Sequence, residues 1–117
     1  MAKILILMGA DVGKANRFGT TPTMMAAWKN QDEILHALLQ RDVSLKDQDL
    51  NGNTALLLSI IYGNYATTEL LLKAEEDPNQ RNRQGIAAVD LAIKYSHVDI
   101  ANLLMAYGAR RPKVLGN

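Results

Sequence analysis

Apolar side chains recur along this chain in paired stripes, and each pair returns after 33 residues. The second stripe of each pair is rich in leucine, at Leu38-Leu39, Leu71-Leu72 and Leu104-Met105. Polar turns between the pairs end in glycine with the same period, at Gly19, Gly52 and Gly85. Turn and core residues that repeat in one register predict an array of similar units, each burying its apolar face on its neighbours.

In the first complete unit the pattern predicts a turn followed by two helices. Asn16 to Gly19 has the composition of a tight turn. Thr21-Pro22 supplies the N-cap and first-turn residues of a helix predicted to end near Lys29. After a break at Asn30-Gln31, apolar spacing predicts a second helix from Asp32 to about Arg41. Two antiparallel helices and a turn therefore make the unit.

The next two units repeat these elements. A helix is predicted from Thr54-Ala55 to Tyr62, with a break at Gly63-Asn64 before the leucine-rich second helix. In the last unit the first helix opens at Ala87-Ala88, without a capping hydroxyl, and the break is at Ser96-His97.

The chain is predicted to begin in the middle of a unit. The division that follows from the register is a half unit supplying only a second helix, three complete units and a tail, at residues 1–15, 16–48, 49–81, 82–114 and 115–117. Either further units precede the half unit, or two copies of the chain cover one another there as a homo-oligomer. The last complete unit is more polar, as a terminal cap of an array requires.

The motifs Gly19-Thr20-Thr21-Pro22, Ala26-Ala27 and Gly9-Ala10-Asp11-Val12, together with the period, resemble the ankyrin repeat over residues 3–114. The resemblance implies an all-α fold, an α-solenoid of stacked helix-turn-helix ankyrin repeats with three full repeats and an N-terminal half repeat. Its hairpin-like turns would project from the helices.

The chain departs from the family pattern at two kinds of position. Met24, Leu57 and Asp90 stand where the family usually has a turn-bracing histidine, which puts the rigidity of the turns in doubt. Asp42 and Glu75 stand where a glycine is expected after the second helix, so those helix ends should be less stable.

Composition and motifs point away from catalysis. A chain with 48% hydrophobic and 21% charged residues is typical of a folded protein. It has no cysteine, and its two histidines, His36 and His97, lie on different units, so we expect no metal site, no cofactor and no enzymatic activity. The apolar run Ile4–Met8 is short for a secretory signal, and no segment approaches the length of a membrane span. We therefore expect an intracellular protein, cytoplasmic or nuclear.

Family membership implies that partners bind to the projecting turns and the exposed ends of the first helices. We call the corresponding positions the contact face: Arg17, Phe18, Thr20, Trp28, Lys29, Leu50, Asn51, Asn53, Ile61, Tyr62, Arg83, Gln84, Ile86, Lys94 and Tyr95. The contact face holds four of the six aromatic residues and four basic residues, with no acidic one. The alternatives are that Trp28, Tyr62 and Tyr95 pack as core, and that the basic residues are ordinary solvated charges.

The sequence thus favours a protein-binding module whose partner has apolar anchors and acidic residues. Two other functions remain open: binding of single-stranded nucleic acid by interleaved basic and aromatic residues, and a structural or oligomerising spacer within a larger protein.

Asn79 is a candidate for asparagine hydroxylation. Leu71, Asp77 and Asn79 resemble the leucine-aspartate-asparagine spacing that this modification uses in the family, although Pro78 replaces the usual aliphatic residue. The alternative is a turn residue that bonds its own backbone.

Overall fold

Three pairs of short helices make up the computed structural model, which describes residues 17–41 and 45–110. The helices are α1 Pro22–Trp28, α2 Asp32–Leu39, α3 Ala55–Ile61, α4 Tyr65–Lys73, α5 Ala88–Lys94 and α6 Val98–Ala106. The predicted half unit at residues 1–15, the position of Asp42 and the tail at residues 115–117 lie outside the described residues. The unit boundaries drawn from the register stay predictions.

Threonine caps begin the first helix in two of the three pairs, as predicted. The Thr21 hydroxyl accepts a hydrogen bond from the backbone N–H of Met24 at 3.2 Å, and the Thr54 hydroxyl accepts one from Leu57 at 3.3 Å. Ala87 occupies the same place in the third pair and makes no side-chain bond. The start of α5 therefore lacks a stabilisation that is typically worth about 1 kcal/mol.

A residue in the left-handed conformation ends the first helix of every pair. The φ angles are 57° at Asn30, 71° at Gly63 and 64° at Ser96, which are the three predicted breaks. This conformation reverses the chain, so that the second helix packs back against the first. The helix-turn-helix prediction is therefore confirmed in each pair.

The helices form two layers that share one core. The first helices α1, α3 and α5 pack side by side, the second helices α2, α4 and α6 do the same, and each pair packs internally. Leu35, Leu38, Leu71, Ile100 and Leu104 are fully buried between the layers. Within the described residues, strand-like pairing is limited to one isolated bridge between Arg81 and Ala87. The predicted all-α solenoid of helical repeats is confirmed.

The departures from the family pattern have visible consequences. Met24 and Leu57 are buried at the histidine positions and contribute to the core, and Asp90 is buried there too. Glu75 follows α4 with φ at 69°, where the third pair has Gly108. A side chain in this left-handed conformation typically costs about 1–2 kcal/mol, so the end of α4 is strained as expected.

Two of the turns are braced by their own side chains. The Asp49 carboxylate accepts hydrogen bonds from two backbone N–H groups of its own turn at 2.8 and 2.9 Å. The Asn82 side-chain oxygen does the same in the next turn, both at 2.9 Å. The backbone N–H of Gly52 and of Gly85 also closes each turn, at 2.9 and 3.0 Å. These two turns are therefore internally fixed.

The described helices contain between seven and nine residues. Among them, none has the length and apolar character needed to cross a membrane.

Candidate functional site

The structure places every residue of the contact face at least partly in solvent. The exposed fractions of its aromatic side chains are 60% at Phe18, 40% at Trp28, 52% at Tyr62 and 43% at Tyr95. These side chains are therefore not part of the core, which was the alternative left open by the sequence.

Eight contact-face residues come together around a groove of about 680 Å³ between the first two complete units. They are Phe18, Thr20, Trp28, Leu50, Asn51, Asn53, Ile61 and Tyr62. Met25, Asp49 and Leu58 complete the lining. We call this cavity the inner groove. It runs between the projecting turns on one side and the ends of α1 and α3 on the other.

The helix side of the inner groove is held by an asparagine that bridges the two units. The Asn64 side-chain amide donates hydrogen bonds to the backbone carbonyls of Ala27 at 2.7 Å and Trp28 at 3.1 Å. These bonds tie the start of α4 to the end of α1. Beside them the Trp28 and Tyr62 rings lie 5.9 Å apart between centroids, tilted by 55°. This tilted arrangement is favourable for aromatic pairs and leaves part of each ring exposed.

On the other side of the inner groove, the projecting turns of successive units are linked by hydrogen bonds. The backbone N–H of Leu50 donates to the Phe18 carbonyl at 3.2 Å, and the Arg83 guanidinium donates to the Leu50 carbonyl at 2.6 Å. The second and third of these turns lie close together, so that a Cβ added at Gly52 would be only 2.8 Å from the Arg83 Cβ. Arg83 therefore bonds the preceding turn, so its role is partly structural.

The remaining three cations of the contact face each lie over a neighbouring aromatic ring. The distances to the ring centroid are 5.5 Å for Arg17 over Phe18, 5.8 Å for Lys29 over Trp28 and 5.8 Å for Lys94 over Tyr95. Cations within about 6 Å of a ring face are attracted to it, typically by 0.5–1 kcal/mol at exposed sites. The contact face thus places positive charges next to exposed apolar surface.

Seven residues of the contact face do not line the inner groove: Arg17, Lys29, Arg83, Gln84, Ile86, Lys94 and Tyr95. Most of them belong to the third complete unit. There Leu91 is buried, as is its counterpart Leu58, whereas their counterpart Met25 is partly exposed. The contact face therefore extends along the turns of all three complete units, and eight of its residues line the inner groove between the first two.

The contact face predicted from the sequence omitted Asp49 and two helix residues of the groove, Met25 and Leu58. Met25 precedes Trp28 by three residues on α1, and Leu58 precedes Tyr62 by four on α3. Residues three or four apart share one face of a helix, so this spacing could have identified them.

Asn79 lies in the turn after α4, and both the nitrogen and the oxygen of its side-chain amide make hydrogen bonds. Its nitrogen donates to the Gly108 carbonyl at 3.4 Å, and its oxygen accepts from the Arg110 backbone N–H at 2.9 Å. Its own backbone N–H donates to Asp77 at 2.8 Å. The side chain thus links the second and third units, and its modification stays a prediction.

Comparisons with known proteins agree on the kind of repeat. The family described as ankyrin repeats (3 copies) matches residues 1–82 and 24–113. The chain is 33% identical over 95 residues to alpha-latrotoxin-Lg1a of Latrodectus geometricus, covering 79% of the chain and 7% of that protein. It is 30% identical over 89 residues to ankyrin repeat and SAM domain-containing protein 6 of Rattus norvegicus, covering 75% and 10%. It is 33% identical over 92 residues to a putative ankyrin repeat-containing protein of Treponema pallidum, covering 78% and 31%. The chain thus spans less than a third of each of these relatives.

Proposed function

The chain belongs to the ankyrin-repeat family, and from this premise we propose that its contact face binds a partner polypeptide, with the inner groove as the centre of the interface. Ankyrin repeats are generally protein–protein interaction modules. The observation that supports this site most is the exposure of Trp28 and Tyr62 side by side in a groove of about 680 Å³. Large aromatic side chains in such a position commonly dominate binding energy.

The groove chemistry favours a partner with apolar anchors next to acidic residues. Met25, Trp28, Leu58 and Tyr62 present apolar surface to the groove. An apolar anchor would displace water from these side chains, which is the main favourable term in association. Lys29, beside Trp28, would meet a carboxylate of the partner and contribute mostly to orientation and to the rate of association. The proposed role is recognition, without a bond made or broken in the partner.

A polypeptide partner is better supported than single-stranded nucleic acid. Asp49 lines the groove, the Arg83 guanidinium is bonded to the Leu50 carbonyl, and the net charge of the chain is only +1. Binding to phosphates depends on a surplus of cations and weakens steeply with salt. Salt-sensitive binding of a single-stranded oligonucleotide that is lost in Trp28→Ala would favour the nucleic-acid function instead.

The test is affinity capture from cell lysate with the wild-type chain and with a Trp28→Ala, Tyr62→Ala double variant. We expect the double variant to lose the captured partner, because truncation of a binding hot spot costs about 2 kcal/mol or more. Tyr65→Ala is the matched control, since Tyr65 on α4 is as exposed as Trp28, at 40%, but does not line the groove. Equal capture by all three proteins would contradict the proposal.

A further inference from the structure

A second groove, of about 610 Å³, lies between the second helices α2 and α4. Its lining includes Asp32, Glu33, Ala37, Ala66, Glu69 and Leu70. We call it the outer groove. The second helices form the layer opposite to the first helices, so the outer groove is on the other side of the molecule from the inner groove.

A small residue at one repeat position opens the outer groove. Ala37 in the first complete unit corresponds to Leu70 in the second and Leu103 in the third, at intervals of 33 residues. Leu103 is buried, whereas Ala37 only lines the groove. A leucine at position 37 would fill part of the space that alanine leaves. The alanine at position 37 therefore distinguishes the first complete unit from the other two at this position.

The charge around the outer groove is opposite to that of the contact face. Asp32, Glu33 and Glu69 contribute three carboxylates, and the cation in the lining is Lys73, one turn after Glu69. His36 is the remaining titratable residue of the lining. Asp32 also accepts a hydrogen bond from the buried Thr67 hydroxyl at 2.7 Å, which fixes its carboxylate at the groove edge. The floor is apolar and its borders are mainly acidic.

The carboxylates of the outer groove are not arranged as a metal site. Across residues 17–41 and 45–110, no three acidic or histidine side chains come together in a way that could hold an ion. An apolar floor between acidic borders instead complements a polypeptide surface in which apolar side chains alternate with basic ones.

We propose that the outer groove is a second docking surface and that its occupant is an amphipathic helix with basic residues beside an apolar stripe. The groove runs along two helices, and side chains of a third helix pack into the furrow between such neighbours. The helix α2 has eight residues, or about 12 Å at 1.5 Å per residue. The occupant therefore contributes about two turns, with apolar side chains over Ala37 and Ala66 and basic side chains toward Asp32 and Glu69.

The test uses a synthetic leucine–lysine peptide of about four helical turns, with leucines at helical spacing. It is titrated into the ¹⁵N-labelled chain while backbone amide chemical shifts are recorded. We expect shifts concentrated at residues 32–37 and 66–73. A leucine–glutamate peptide of the same pattern is the matched control and should leave these residues unchanged, because it brings negative charge to acidic borders.

The variant Ala37→Leu should weaken binding of the lysine peptide about tenfold or more, since it fills the groove. The fold should persist, because the other two units carry leucine at this position, and thermal unfolding checks that. Trp28→Ala should bind the peptide as the wild type does, which separates this surface from the inner groove.

Three results would overturn the inference: no shifts at the outer groove, equal shifts with the glutamate peptide, or undiminished binding by Ala37→Leu. Shifts at residues 32–37 and 66–73 that appear without peptide as the chain is concentrated would also overturn it, because a second copy would then be the occupant.

Discussion

Gly63 is a position where an added side chain would be strained and would also meet the next unit. It links α3 to α4 with φ at 71°, and a Cβ added there would lie 2.6 Å from the Cε1 atom of His97. Asn30 and Ser96 hold the same place in the other units with side chains. A side chain at position 63 would therefore destabilise the fold in two ways, through left-handed backbone strain and through overlap with the imidazole of the next unit.

We predict that Gly63→Ala lowers the free energy of unfolding by more than the 1–2 kcal/mol or so typical of left-handed strain alone. Gly85→Ala is the matched control, because Gly85 has φ at 81° and open space around its Cβ position. Urea denaturation measures both variants. Adding His97→Ala to Gly63→Ala should recover the excess loss. Equal destabilisation by Gly63→Ala and Gly85→Ala would show that the imidazole moves aside at no cost.

At the scale of elements, the loop after α4 is tied to the start of α3 by a chain of side chains. The Thr54 hydroxyl, which caps α3, donates to the Gln80 side-chain oxygen at 2.6 Å. The Gln80 amide nitrogen donates to the Glu76 carboxylate at 2.8 Å. Glu76 is buried, and this burial raises its pKa above the ordinary value despite the opposing effect of the Gln80 bond and Lys46. Nearby Asp77 also raises it.

The raised pKa predicts how stability changes with pH. A carboxyl group that binds its proton more tightly when folded stabilises the protein below its unfolded pKa, and this stabilisation is lost as pH rises through the folded pKa. Glu76→Gln cannot ionise and keeps an oxygen for the Gln80 bond. The free energy of unfolding of Glu76→Gln, relative to that of the wild type, should therefore be higher at about pH 7 than at about pH 4.

Urea denaturation at both pH values measures this difference. Glu75→Gln, which removes the same charge from an exposed neighbouring side chain, is the control for net charge. A Glu76→Gln advantage that shrinks toward neutral pH would contradict the assignment of burial as the dominant cause.

At the scale of the whole molecule, the sequence predicted the units and the structure supplied the contacts between them. The register of Gly19, Gly52 and Gly85 was sufficient for the helix order, because the turn residues and the spacing of apolar residues repeat in each unit. It could not show that Arg83 bonds the Leu50 carbonyl or that Ala37 opens a groove. Those features depend on which side chains meet across neighbouring units, and a single-unit pattern carries no such information.

The two sides of the array differ in the charge of their surfaces. The contact face carries basic residues beside aromatic ones, and the outer groove carries three carboxylates over an apolar floor. A near-neutral total charge of +1 conceals this difference. Because complementary potentials guide association, each side is expected to select partners of opposite charge.

A partner that covers the inner groove would shield a side chain that reports on the contact by its fluorescence. Trp28 is the only tryptophan of the chain and is 40% exposed in the groove. The direct measurement is acrylamide quenching of Trp28 fluorescence with and without the captured partner, using a partner segment that lacks tryptophan. We predict that quenching falls markedly at saturation, because the partner shields the indole from solvent. Unchanged quenching while the complex is demonstrably formed would contradict binding at the inner groove.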